Sequence, residues 1–204
     1  HLEVSKDDNM AYEYAQIIKK QAQSGYKLLV DLLDWAKSQS DKIVIDYQEI
    51  YLSDVIDQAL SVNFSVIDKK GVKIDIGDCI SGKKIYSDRQ ILFTLLRNII
   101  NNAVKYSFIN GAIDINCSEN DEYLILEIKD YGVGIPEDRQ DKIFDSSYKY
   151  SSPGTCDEEG TGLGLIMCKD LVKKIGGTIH FKSKIGSGTS FFISLPNKED
   201  YTKK

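Results

Sequence analysis

The stretch RNIINNAVKYS, Arg97 to Ser107, decides how the rest of the chain is read. It belongs to an apolar run that begins at Ile91 and is spaced like a buried helix, yet Asn98, Asn101, Asn102 and Lys105 interrupt it. At about 100° per residue, Asn98, Asn102 and Lys105 fall within about 60° of one another. Leu92, Leu95, Leu96, Ile99 and Ala103 form the adjoining apolar arc, so the amides line one edge of a core-facing surface. Amides in that position have two uses. They can bond to neighbouring loops, as most buried amides do. They can also serve as ligands: an amide oxygen suits a hard cation such as Mg²⁺, and Lys105, one turn on, is a point charge suited to phosphate oxygens. Tyr106 lies just beyond Asn102.

Two further stretches lie downstream. In EIKDYGVGIP, residues 127–136, an alternating strand delivers Asp130 at its end, Gly132 and Gly134 permit a tight turn, and Pro136 opens a helix. A carboxylate there can accept a hydrogen bond from an exocyclic amine. A calcium loop is excluded, because its third and fifth positions would be Gly132 and Gly134 and its twelfth Asp141 rather than glutamate. In EEGTGLGL, residues 158–165, Gly160, Gly162 and Gly164 lead into a helix. Exposed backbone N–H groups and the helix dipole favour an anion at such a point. The spacing is neither a dinucleotide fingerprint after a strand nor a P-loop. The polar run before it, Asp145–Glu159, reads as a lid with Gly154 and Gly160 as hinges.

Working outward, Asp8–Gln39 reads as one long helix. Tyr14, Ile18, Gln21, Gly25, Leu28, Leu32 and Trp35 form a heptad seam widened by Ile17, Leu29 and Leu33. Such a stripe needs a partner helix, a second copy of the chain, or the chain's own domain to cover it. The pattern changes near Ser40–Lys42. Ile43, Ile45 and Tyr47 alternate like a strand. Ser53–Asp68 reads as a helix capped by Ser53 with Val55, Ile56, Ala59, Leu60 and Phe64 inward. Gly71–Gly77 is a strand, and Asp88–Tyr106 a helix capped by Ser87 or Asp88. Residues 111–118 and 122–130 form a hairpin about Asn120-Asp121. A short helix runs from Pro136 to about Ile143, and a longer one from Gly162 to Ile175, ended by Gly176-Gly177. A last hairpin turns at Gly186-Ser187-Gly188. The expected fold is α+β: a two-layer α/β sandwich with a mixed, largely antiparallel sheet of about five strands and about three helices on one face, preceded by the long helix. The expected division is residues 1–42, 43–197 and a charged tail at 198–204.

The net charge of −5 argues against a nucleic-acid binder. Cys79, Cys117, Cys156 and Cys168 form no C-x-x-C pair and there are two histidines, which argues against zinc; the cysteines read as free thiols. No apolar run is long enough to span a membrane. The opening HLEVSKDDN lacks methionine, so the chain reads as a piece of a longer protein: a cytoplasmic portion whose membrane anchor, if there is one, lies upstream.

Taken in order, NIINNAVKYS, DYGVGIP, IFDSSYKY and GTGLGL closely resemble the ATP-binding domain of sensor histidine kinases, within the gyrase, heat-shock chaperone and mismatch-repair ATPase superfamily (the Bergerat fold). The resemblance covers about residues 45–196, and the leading helix resembles the second helix of the family's dimerisation and histidine-phosphotransfer hairpin. It implies ATP and Mg²⁺ as ligands. Asn102 matches the Mg²⁺-coordinating asparagine, with Asn98 its neighbour in the same box. Lys105 matches the phosphate-contacting lysine, Tyr106 the aromatic beside the purine and Asp130 the reader of the adenine amine. Gly132, Gly134 and Ile135 fall at the adenine pocket; Gly160, Thr161, Gly162, Leu163 and Gly164 fall at the lid's end beside the triphosphate; Phe144 matches the lid's anchor.

There are two departures. Hydrolysing relatives carry glutamate where Asn98 stands, and an amide cannot take a proton from water, which favours phosphoryl transfer to a protein side chain. Where relatives often carry a lid arginine, this chain has Lys149, a cation without the bidentate fork. The family's phosphoacceptor histidine is not matched. His1 is not followed by the threonine-proline of that box, and His180 falls in a predicted strand. The resemblance therefore implies that the phosphoacceptor lies on a helix outside this chain, that the chain does not phosphorylate itself, and that a response-regulator receiver domain takes the phosphoryl group next. A homodimer through the long helix is a further expectation. The alternatives are a nucleotide-binding interaction module, which is a degenerate kinase, and a gyrase-type ATPase.

Overall fold

The computed structural model describes residues 6–39, 44–145, 152–156, 158 and 160–197. The expected boundary at Ser40–Lys42, the start of the expected strand at Ile43, and Lys149 lie outside the described residues. Helix α1 runs Lys6–Gln39, touches α5 (Gly164–Lys174), and is followed by strand β1 (Tyr47–Tyr51) and helix α2 (Leu52–Lys70). The expected strand therefore starts later, at Tyr47. It pairs antiparallel with β3 (Lys84–Asp88), a strand not expected from the sequence, whose last residue also caps the next helix. Ser53 is not the cap of α2. Its hydroxyl faces Asp54, while the extended Tyr51 precedes the first turn without a side-chain bond.

The main sheet has the order β2-β4-β5-β7-β6, with β2 (Lys73–Ile76), β4 (Ala112–Glu119), β5 (Tyr123–Asp130), β6 (Thr178–Lys184) and β7 (Gly188–Pro196). The pair β2–β4 is parallel and the other three are antiparallel, which is the mixed sheet expected. The hairpin between β4 and β5 closes as its sequence implies: Asn120 Oδ1 accepts from the Glu122 and Tyr123 amides at 3.0 and 2.7 Å.

Helix α3 (Arg89–Tyr106) begins at Asp88, whose Oδ1 accepts the Ile91 amide at 2.9 Å. Its arc of Leu92, Leu95, Leu96, Ile99 and Ala103 is fully buried between the sheet, α2 and α5. Val55, Ile56 and Ala59 of α2 join the same core, but Phe64 is 66% exposed and does not. It follows Asn63, which takes the inward position and returns its amide to the Ala59 carbonyl at 2.9 Å. Helix α4 is a single turn, Glu137–Gln140, shorter than expected. Helix α5 starts two residues later than expected, because Gly162 takes a left-handed φ of 73° that no helix accommodates.

Period two decides what the sheet presents to the helices. On β5, Leu124, Leu126, Ile128 and Asp130 all fall on the buried face. A carboxylate thus ends an apolar row. On the neighbouring strand Thr189, Phe191, Ile193 and Leu195 make the matching row, with Thr189 opposite Asp130.

Candidate functional site

A cavity of about 540 Å³ opens between α3, the end of β5 and the lead-in to α5. The structure brings most of the expected residues to its wall: Asn98, Asn102, Lys105 and Tyr106 from α3, Asp130 from β5, Gly134 and Ile135 from the turn after it, and Gly160, Thr161, Gly162 and Gly164 before and at α5. Gly132 and Leu163 are not on the wall. Gly132 lies under the end of α3, where an added Cβ would sit 1.9 Å from the Tyr106 carbonyl, so it permits the turn after Asp130 to pass beneath that helix. Leu163 is buried, and its carbonyl accepts the Met167 amide. Gly134 has φ 72° and an added Cβ would meet the Lys184 carbonyl at 2.2 Å, so this turn demands glycine on both counts.

Asp130 is 3% exposed. Burial pushes its carboxyl up to about 6 from an ordinary 3.8, against the pull of the Gly132 and Thr189 amides, which donate to Oδ1 at 2.9 and 3.3 Å. Both bonds fall on one oxygen and fix the carboxylate's plane at the cavity wall. Thr189 itself lines the cavity and was not anticipated. Its place follows from the β5–β7 register, which no local pattern reveals.

On α3, Lys105 is buried. Its Nζ donates to the Ser152 carbonyl at 2.8 Å and lies 4.8 Å from the Tyr106 ring centre. Among the described residues it has no carboxylate partner. A buried ammonium held by one neutral oxygen leaves room for an anion. The Tyr106 hydroxyl reaches the same Ser152 carbonyl at 3.2 Å. Asn98 turns its amide back to the Thr94 carbonyl at 2.9 Å, and its Oδ1 faces Gly164, where an added Cβ would lie 3.3 Å away. No hydrogen bond engages the Asn102 side chain among the described residues, so its amide is available to a ligand. Asp130 is the sole carboxylate on the wall among those residues.

The segment 152–158 is fastened to the end of α3 by a residue that sequence reading missed. Lys70, the last residue of α2, is 2% exposed, and its Nζ donates to the Val104 and Lys105 carbonyls, Thr155 Oγ1 and Glu158 Oε1 at 2.7, 3.0, 2.6 and 3.0 Å. A lysine at a helix C-terminus reads as a solvated complement to the dipole, so nothing local singles it out. Partial burial pushes Glu158 up, but the Lys70 bond, the Cys156 amide and the ammonium's charge together hold it below its usual value. Gly154 lies close against α3: an added Cβ would sit 2.7 Å from Lys105 Cγ and 2.8 Å from the Lys105 carbonyl. Phe144 packs against Phe181 with ring centres 5.9 Å apart, beside the core.

The remaining expectations concern α1 and His180. Tyr26 and Val30 of α1 reach the cavity rim, yet Tyr14, Ile17, Ile18, Leu29 and Leu33 are more than half exposed; the side chain of Trp35 is outside those described. No described helix is long and apolar enough to cross a membrane. No cluster of three or more His, Cys, Asp or Glu side chains that could hold a metal occurs among the described residues. His180 is exposed and stacks on Phe192 at 4.8 Å, on the sheet face opposite Phe181 and Phe191 and so away from the cavity.

Residues 87–199 match the family described as "Histidine kinase-, DNA gyrase B-, and HSP90-like ATPase". Sensor protein SrrB of Staphylococcus aureus is 32% identical over 174 residues, which cover 85% of this chain and 30% of that protein. The chain thus spans about a third of the length of the curated relatives it matches. Among solved structures, full-length ShkA in complex with AMPPNP superposes with a TM-score of 0.73 at 21% identity, over 95% of this chain and 40% of that one. Histidine kinase ThkA in complex with response regulator protein TrrA gives a TM-score of 0.71 at 22% identity, over 98% and 54%. These two likenesses concern the fold.

Proposed function

Because the chain belongs to the histidine kinase-, DNA gyrase B- and HSP90-like ATPase family, we propose that it binds ATP with Mg²⁺ and donates the γ-phosphoryl group to a histidine of a sensor kinase, for relay to a response-regulator aspartate. The observation that carries this reading is Lys105. It is a buried ammonium without a carboxylate partner among the described residues, on the same cavity wall as the unengaged Asn102 amide and Asp130.

In this reading Asp130 accepts the adenine amine, with Gly132 shaping the turn behind it and Gly134, Ile135 and Tyr106 beside the ring. Asn102 donates its amide oxygen to the metal, a donor that fits Mg²⁺. When bound, Mg²⁺ would supply positive charge against the phosphate oxygens. Lys105 supplies a second positive charge, and the Gly160–Gly164 backbone with Thr161 and Leu163 supplies N–H groups at the start of α5. Lys149 is the lid cation.

Hydrolysis is disfavoured for a stated reason. Asn98 carries an amide committed to Thr94, and the sole wall carboxylate among the described residues, Asp130, is held by backbone bonds, so among those residues no base stands ready to activate water. We read the exposed stripe of α1 as the second helix of the dimerisation hairpin, residues 1–42 forming that unit and 43–197 the ATP-binding one. The stripe then packs on the phosphoacceptor helix of the same protein and on its copy in a homodimer. With His180 on the far side of the sheet, the chain alone does not phosphorylate itself.

Calorimetric titration with a non-hydrolysable ATP analogue tests the site. Binding is expected to require Mg²⁺ in the native chain, to lose that requirement with its affinity in Asn102→Ala, and to weaken strongly in Asp130→Asn. Native affinity in both variants refutes the assignment. Incubation with labelled ATP is expected to leave no acid-labile phosphate on the chain and to release little free phosphate. Robust release would favour an ATPase.

A further inference from the structure

At the edge of the sheet farthest from α5, the 3₁₀ turn Asp78–Ile80 after β2 lies against β4. Two cysteines meet there. The Cys117 amide donates to Cys79 Sγ at 3.0 Å, and the Cys117 thiol donates to the Cys79 carbonyl at 3.1 Å. Each sulfur therefore bonds the other residue's backbone, although 38 positions separate them. The backbone around them is held too: the Gly77 amide donates to the Ile115 carbonyl at 2.9 Å, and Cys79 Sγ would lie 3.4 Å from a Cβ at Gly77. Cys79 is exposed and Cys117 half-buried. The other two cysteines differ: Cys156 is exposed in the lid segment, and Cys168 is buried beneath α3.

We propose that Cys79 and Cys117 are a dithiol modification site, which a low-molecular-weight disulfide oxidises to an intramolecular Cys79–Cys117 bond. Each sulfur already lies within 3.1 Å of the other residue's backbone, so the two side chains share one small site. The order of attack follows from their surroundings. Burial pushes the Cys117 thiol up to about 12, with help from the bond to Cys79 and from the charge of that neighbour, while Lys83 pulls the other way. Cys79, the exposed sulfur, therefore reacts first. Its thiolate attacks one sulfur of the small disulfide, whose S–S bond breaks and releases one thiol. With Cys79 now in a mixed disulfide its negative charge is gone, and Lys83 favours the Cys117 thiolate. That thiolate attacks the Cys79 sulfur and expels the second small thiol. Two protein thiols are oxidised and one small disulfide is reduced to two thiols, which carry away both protons.

The bond would close a loop that contains β3 and the whole of α3, the helix that bears Asn102 and Lys105. Tying the two ends of that loop restricts the unfolded chain, so the thermal midpoint should rise on oxidation and fall back on reduction.

The chain is incubated with oxidised glutathione at mildly alkaline pH, then quenched and mapped by peptide mass. The expected result is a loss of two hydrogens without retained glutathione, one peptide pair linking Cys79 to Cys117, and reversal by dithiothreitol. Cys117→Ser should instead keep a single glutathione on Cys79, and Cys79→Ser should form no internal bond. A native chain that retains glutathione on Cys79, links it to Cys156 or to a second chain, or does not react overturns the proposal. The mapping of the native chain decides alone, whether or not either variant folds.

Discussion

The end of β5, which carries Asp130, and the end of α3, which carries Lys105, wall the cavity by different means. At the Asp130 end, sheet geometry does the work. Alternation along β5 carries the carboxylate to the buried face, and two backbone amides hold one of its oxygens. At the Lys105 end, the geometry depends on side chains from distant segments. Lys70 of α2 bonds α3 carbonyls and the lid segment together, and Ser152 covers Lys105 and Tyr106. The first end is stiff because it is sheet. The second can be reset, because a few polar bonds hold it, and phosphate charge would compete for one of them. The difference teaches that a buried charge tolerated for binding and a buried charge used for fastening leave opposite marks on stability.

The largest expected effect breaks the fastened end. Lys70→Met removes a buried ammonium shared by two carbonyls, a hydroxyl and a carboxylate, of which the Lys105 carbonyl keeps the Thr155 amide and Glu158 keeps the Cys156 amide. The cost expected is about 3 kcal/mol in unfolding free energy, measured by urea titration, with faster proteolysis within residues 145–160. If stability is unchanged, the lid is not held by Lys70.

The Asp130 end should respond with the opposite sign. Asp130→Asn keeps the shape but removes a carboxylate whose burial raises its pKa by about two units, so at neutral pH the variant should gain up to about 3 kcal/mol, an upper bound. Nucleotide affinity should fall about thirtyfold in the same variant, as expected for one charge-assisted hydrogen bond of about 2 kcal/mol. A variant that loses both stability and affinity would show that the carboxylate serves the fold.

A pH titration sharpens the same point. Asp130 holds its proton up to about 6 when folded and loses it near its ordinary 3.8 when unfolded. Between those values the folded chain binds more protons, so this group's contribution to stability declines as pH rises from about 4 to about 6 and is flat above. Nucleotide affinity should run the other way, rising through about pH 6 as the acceptor ionises and changing little in Asp130→Asn. The smallest effect expected is that of Glu158→Gln, below about 1 kcal/mol, because the side chain is 24% exposed and the glutamine oxygen still accepts from Lys70.

Several features were open to sequence reading for physical reasons. The apolar arc of α3 is periodic, so its buried face and the row of Asn98, Asn102 and Lys105 beside it follow from helix geometry alone. Asp130 follows from strand alternation, and the glycines after it from the turn they permit. Ser53 misled because a serine before an apolar run resembles a cap, while the chain enters α2 directly from β1. Phe64 misled because apolarity in a helix of one sheet-packed layer does not say how far the covering layer extends.

The chain's local order therefore determined the elements, their faces and most of the residues that line one cavity, because periodicity of 3.6 and of 2 acts within a few neighbouring residues. Tertiary structure alone decided which strands adjoin. It set Thr189 opposite Asp130, gathered Lys70, Lys105 and Glu158 at one point from three separate segments, and laid Cys79 against Cys117. Those pairings join residues tens of positions apart, and their energies depend on burial and register, which exist only once the sheet has closed over the helices.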